Sequence, residues 1–149
     1  MQIERRDIGF EIGGERIVGW FYPGAGPEPR PCVVIGHGFA GVKEARLDAF
    51  AARFASAGLA CLVFDYRHFG GSAGEPRQLV DVRRQRQDWV AAVAEAKRTP
   101  GVDPARIALW GTSFGGGFVL ELAARRGDIA AAVLHMALVD PLATTGDEG

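Results

Sequence analysis

Gly111-Thr112-Ser113-Phe114-Gly115 is the stretch of this chain whose residue types and spacing suit chemistry best. An apolar run at 107–110 leads into it and a helix-compatible segment at 118–124 leads out. Between a strand and a helix, Gly-x-Ser-x-Gly spacing predicts a turn so tight that the serine's neighbours must be nearly free of side chains. Such a turn lifts the Ser113 hydroxyl above the strand end and aims it at the N-terminus of the next helix. Backbone N–H groups and the helix dipole favour developing negative charge there. The chemistry implied is attack of the Ser113 oxygen on an acyl carbon. Without that strand and helix, the same residues would be a glycine-rich turn with an incidental serine.

A tetrahedral intermediate on Ser113 needs backbone donors aimed at its oxyanion. The N–H of Phe114, directly after the serine, is one candidate. Pro31-Cys32-Val33-Val34-Ile35 is a short apolar run that ends in Gly36-His37-Gly38-Phe39, and the N–H of Phe39 is the other. A third stretch, Phe64-Asp65-Tyr66-Arg67-His68-Phe69-Gly70-Gly71-Ser72, follows a further apolar run. The His-Gly loop, the Asp-x-Arg-x-x-Gly-x-Ser loop and the serine turn, in this order, resemble the α/β-hydrolase family. Esterase-like and serine-aminopeptidase-like members are the nearest in pattern, and the likeness runs from Ile8 to Asp140. It implies hydrolysis of an ester, thioester or amide, with Ser113 as nucleophile, Phe39 and Phe114 as the oxyanion hole, and a small-molecule acyl substrate. No cofactor is implied.

A serine hydroxyl is a poor nucleophile until a base takes its proton, and an acid must orient that base. In the family these follow the serine in the order acid, then histidine. After Ser113 stand Glu121, Asp128, Asp140, Asp147, Glu148 and a single histidine, His135. Glu121 lies within the helix after the serine and Asp128 just past it, so both point away from the strand tips. Asp140 follows an apolar run at 130–139 and so falls where catalytic acids occur, but a cap or turn residue before Pro141 is the favoured reading. His135 reads as a half-buried strand residue that faces the site only if it lies near the strand tip. In the resemblance His37 supports the oxyanion loop, and His68 is expected on the surface. The nucleophile half of a serine hydrolase is thus legible, and the half that completes a triad is not. The alternative is a catalytically incomplete, hydrolase-derived binding or interaction module, or a truncated fragment.

The elements that must hold these residues alternate. Strands are predicted at 8–12 and 16–22, joined through Gly13-Gly14, then at 32–35, 60–64, 107–110 and 130–139, with helices at 44–57, 78–98 and 114–126. Leu79, Val82, Trp89, Val90 and Val93 form the expected inward face of the second helix. Alternation with continuously apolar strands predicts an α/β fold, a mostly parallel sheet with helices on both faces. The resemblance adds an α/β-hydrolase strand order, with the fourth strand inserted between the second and third, apparently truncated after the sixth. Residues 1–141 read as a partial hydrolase domain and 142–149 as a polar tail. The last strand would be a long apolar edge, which predicts self-association.

Composition excludes several other classes. The chain has 149 residues, 48% of them apolar, and a net charge of −1, which gives no electrostatic reason for a nucleic-acid or anionic-membrane partner. Arg83-Arg84-Gln85-Arg86 shares its helix with acidic residues and reads as a solvated face. No apolar run reaches membrane-spanning length, and the charged N-terminus lacks a signal-peptide pattern. Cys32 and Cys61 sit in apolar runs as small buried hydrophobes, consistent with a cytoplasmic compartment, and a disulfide between them is the lesser reading. No His, Cys and carboxylate spacing suggests a metal site.

Overall fold

The protein is described by a computed structural model over residues 3–38 and 41–137. The N-terminal hairpin is β1 (Arg6–Ile12) and β2 (Glu15–Tyr22). The remaining strands are β3 (Arg30–Gly36), β4 (Ala60–Phe64), β5 (Val102–Thr112) and β6 (Ile129–His135). Between them lie α1 (Leu47–Ser56), α2 (Val82–Arg98) and α3 (Phe114–Arg125). The six strands form one sheet in the order β1-β2-β4-β3-β5-β6. The hairpin joins antiparallel, whereas β4, β3, β5 and β6 run parallel. The insertion of β4 between β2 and β3 matches the expected order.

Period-two alternation divides the core between the two faces of the sheet. Val34, Leu62 and Leu109 pack with Trp89 of α2 and Phe118 and Val119 of α3. Val33, Ile35, Val63 and Trp110 pack on the other face with Leu47, Ala51 and Ala55 of α1. The chain therefore leaves β3 toward one face and β5 toward the other. Neighbouring parallel strands whose connections diverge leave a crevice at their C-terminal ends, the usual ligand site of open α/β sheets. The same alternation separates the cysteines: Cys32 faces the α2–α3 layer and Cys61 faces α1, so both are free thiols. Burial pushes the Cys32 thiol up to about 12.

Several boundaries differ from expectation, each for a local reason. Helix α1 starts at Leu47 rather than at 44, because Arg46 is left-handed with φ 69°. Helix α2 starts at Val82 rather than at 78, since Gln78 has φ 62° and the Asp81 carboxylate accepts from the Arg84 N–H as an N-cap. Leu79, Val82 and Val90 are 38–42% exposed, not inward. The buried face of α2 runs through Gln85, Asp88, Trp89, Ala92, Val93 and Ala96 instead. Asp88 turns inward because it pairs with buried Arg67. Strand β5 begins five residues earlier than the apolar run suggests, with Val102 paired to Arg30. Strand β6 ends at His135, and Met136 has φ 50°. Among the described residues it forms one sheet edge, and Ala130–Val133 are exposed along it. Residues 138–149, which include the expected tail, lie outside the described residues.

Trp89 is fully buried between α2 and β3, whereas Leu120 on α3 is 44% exposed. Trp89→Ala is expected to lower unfolding free energy by about 3–5 kcal/mol. Leu120→Ala should stay within about 0.5 kcal/mol of the parent. Urea titrations followed by circular dichroism give both values.

Candidate active site

Ser113 sits between the last residue of β5 and the first of α3, with φ 53° and ψ −117°. This is a left-handed φ that an L residue adopts only when its surroundings enforce it. The Ser113 N–H donates to the His135 carbonyl at 2.9 Å, and its own carbonyl accepts from the Gly116 N–H at 3.0 Å. The flanking glycines are required by close approach. A Cβ on Gly111 would strike the Gly115 carbonyl, and one on Gly115 would stand 2.5 Å from the His37 carbonyl oxygen. The side chain of Ser113 is exposed, and among the described residues no side chain hydrogen-bonds its hydroxyl.

The two expected loops converge here. A Cβ built on Gly38 would lie 3.1 Å from the Ser113 Cβ and 3.7 Å from the Phe114 backbone N. The turn that follows β3 thus passes directly beside the serine, in the crevice between β3 and β5. Phe114 is the first residue of α3, and its ring packs edge-on against Phe118 at 5.4 Å. Phe39 and Asp140 lie outside the described residues.

His135 is the last residue of β6 and exposed, not half-buried. Its Nδ1 is 3.0 Å from the Thr112 hydroxyl, and its ring stacks on Trp110 with centroids 5.4 Å apart and planes 19° apart. The backbone of His135 therefore touches the serine turn while its imidazole is engaged on the α1 side of the sheet. Glu121 pairs with Arg86 and Arg125, and Asp128 with Lys97 and Arg126, both away from Ser113 as expected.

Behind the site, Asp65 is fully buried at the end of β4. Its carboxylate accepts from the Lys43 backbone N–H at 2.8 Å, the Lys43 ammonium at 2.8 Å and the Gly71 N–H at 3.1 Å. The His37 Nε2 stands 3.7 Å away. Burial alone would raise the Asp65 carboxyl, but the His37 and Lys43 side chains and the two N–H groups together hold it below its ordinary value. For Lys43 burial favours the neutral amine, and Asp65 and Glu44 outweigh it, so the ammonium titrates above its usual range. Next in sequence, the Tyr66 hydroxyl donates to the His37 carbonyl at 3.1 Å and accepts from the Trp89 indole N–H at 2.8 Å. Burial drives this phenol's pKa upward. Arg67 pairs with buried Asp88 at 2.6 Å, and burial nevertheless raises the Asp88 carboxyl.

His68 is only 2% exposed rather than on the surface, and its Nδ1 meets the Pro76 carbonyl oxygen at 3.0 Å. Lys43 and Trp89 carried no sequence signal for a place near the site, because their roles depend on contacts across 22 or more residues. Among the described residues no group of His, Cys, Asp and Glu could hold a metal ion. No helix there is long and apolar enough to cross a membrane.

A family model described as serine aminopeptidase, S33 matches residues 27–144. The quorum-quenching protein AidA of Acinetobacter baumannii is 43% identical over 90% of this chain and 44% of its own length. The thiohydrolase aneE of Aspergillus aculeatus is 39% identical over 70% of this chain and 32% of its own. The crystal structure of the α/β-hydrolase GrgF from Penicillium superposes with a TM-score of 0.86 at 36% identity, over 93% of this chain and 47% of that one. The chain thus spans less than half the length of these relatives.

Replacing Asp65 by Asn removes the buried partner of the Lys43 ammonium and leaves it only the exposed Glu44, which is expected to destabilise the fold by about 3–5 kcal/mol at neutral pH. A depressed carboxyl contributes stability above its unfolded value and loses it as pH falls through the lower folded value. The stability gap between parent and Asp65→Asn should therefore be widest at neutral pH and shrink below the ordinary carboxylate range. Urea midpoints measured at neutral and at acidic pH check both statements.

Proposed function

The chain belongs to the serine aminopeptidase S33 family of α/β-hydrolases, and from that premise we propose that it carries the nucleophile of a serine hydrolase that cleaves an ester, thioester or amide. The observation that carries the proposal is the backbone of Ser113, strained at φ 53° on the tip of β5 and exposed at the N-terminus of α3. In this reading the Ser113 oxygen attacks the acyl carbon and its proton passes to a base. The N–H groups of Phe114 and Phe39 hold the oxyanion, the leaving group departs with the proton, and water releases the acyl group. Among the described residues only His135 is a base candidate, and its engagement with Thr112 and Trp110 makes it a weak one. Asp140 stays a weak acid candidate, following β6 in sequence. One relative bears the name thiohydrolase, which puts a small acyl thioester among the first substrates to try. Two cysteines used as small buried hydrophobes fit a reducing compartment such as the cytoplasm, and the net charge of −1 supports a small-molecule rather than a nucleic-acid partner.

A second reading rests on β6. It is a sheet edge with exposed Ala130–Val133, and Val133 is 47% exposed. Such an edge is a template for another strand. It supports an incomplete module that associates with a second copy of itself. Light scattering across a concentration series is expected to show growth from monomer to dimer or larger. A monomer at every concentration would rule out self-association.

The hydrolase reading is tested by labelling with a fluorophosphonate probe, beside Ser113→Ala. Labelling of the parent and none of the variant is the expected outcome. A folded parent that stays unlabelled would show that no base serves Ser113 in this chain.

A further inference from the structure

Two consecutive residues at the end of β4 grip both limbs of the turn that passes Ser113. The entry limb is His37-Gly38, and its carbonyl at His37 is held by the Tyr66 hydroxyl, itself held by Trp89. The exit limb is Gly41-Val42-Lys43, and Lys43 is held by the Asp65 carboxylate through both its backbone N–H and its ammonium. Between the limbs the Gly41 N–H closes onto the Gly38 carbonyl at 3.3 Å. The His37 ring is pinned at the same place, edge-on to Tyr66 with centroids 4.7 Å apart.

Position of this turn matters because its near side is already in contact with the serine. A Cβ on Gly115 would meet the His37 carbonyl, and one on Gly38 the Ser113 Cβ. These close approaches limit drift of the described limbs toward the serine, and the far side holds them from behind. That far side is Asp65 and Tyr66, both fully buried. We propose that Asp65 and Tyr66 are positioning residues that hold the described limbs of the turn after β3, His37-Gly38 and Gly41-Val42-Lys43, in place beside Ser113 for acyl transfer. The inference deepens the hydrolase reading and rests on it.

Tyr66 offers the cleaner test, because Tyr66→Phe removes one hydroxyl and keeps the ring packing against Phe64, Phe118 and His37. Fluorophosphonate labelling separates reversible probe binding (KI) from the phosphonylation step (kinact). A small displacement of preorganised donors slows a reaction by up to about a hundredfold, so Tyr66→Phe should lower kinact about tenfold to a hundredfold and leave KI within about twofold. A residue that only stabilised the fold would shift the urea midpoint and leave kinact of the folded variant at the parent value, which would overturn the proposal. Amide exchange read by mass spectrometry supplies an independent arm that needs no activity. Peptides spanning 36–43 should exchange faster in Tyr66→Phe, and in Asp65→Asn if it folds, while the β5 peptides keep their protection. Unchanged exchange over 36–43 would refute the clamp. An unlabelled parent with faster exchange in the variant would uphold the clamp and refute catalysis by this chain alone.

Discussion

Ser113 is held in a backbone conformation that costs an L residue about 1–3 kcal/mol, and such strain persists only where the surroundings over-determine it. The rest of the site is what over-determines it. The N–H of the serine is committed to β6 and its carbonyl to α3, so the turn is fastened on both sides. Glycines at 111 and 115 let β5, α3 and the turn after β3 come within a distance that no side chain would allow. The sheet order then does the remaining work, because β3 and β5 are neighbours whose chains exit to opposite faces. Strain at one residue, two glycines and one crossover place a hydroxyl in a crevice.

Beneath that crevice lies an unusual concentration of buried polarity. Asp65, Lys43, His37, Tyr66, Arg67 and Asp88 are all buried, in a layer where a small domain ordinarily places hydrocarbon. An uncompensated charge there would be costly, and each carboxylate is met by a cation and by backbone donors. The opposed shifts of the two carboxyls follow from this balance. Asp65, with Lys43 on two bonds, is held low, whereas for Asp88 burial outweighs Arg67. Both pairs tie the segment after β4 to its neighbours, one toward the turn after β3 and one toward α2.

The strands and the serine turn were legible because their signals are local. Apolar runs with glycine boundaries located β1 to β4, and Gly-x-Ser-x-Gly marked the junction of β5 and α3. The inserted β4 followed from the family resemblance, not from periodicity. The start of α2 was missed because Gln78 breaks the helix through a left-handed φ that its residue type does not advertise. The wrong inward face of α2 has the same origin: Leu79, Val82 and Val90 look like a core stripe, but the demand of Arg67 for Asp88 rotates the helix. His68 was misplaced because a histidine in a loop after a strand gives no hint that a carbonyl eight residues on will enclose it. Asp65 and Tyr66 were invisible as a pair, since the turn that both hold lies beside them only once β3 and β4 are neighbours.

The bond from Ser113 to the His135 carbonyl joins the serine to the outermost strand of the sheet. Strand β6 is bounded on one side by β5 and on the other by nothing among the described residues. The carbonyl of His135 therefore belongs to the outermost described strand and also backs the serine. The strand that fixes the backbone of Ser113 is thus itself held among the described residues by β5 alone in the sheet, so the serine's geometry depends on how firmly these two strands keep their register.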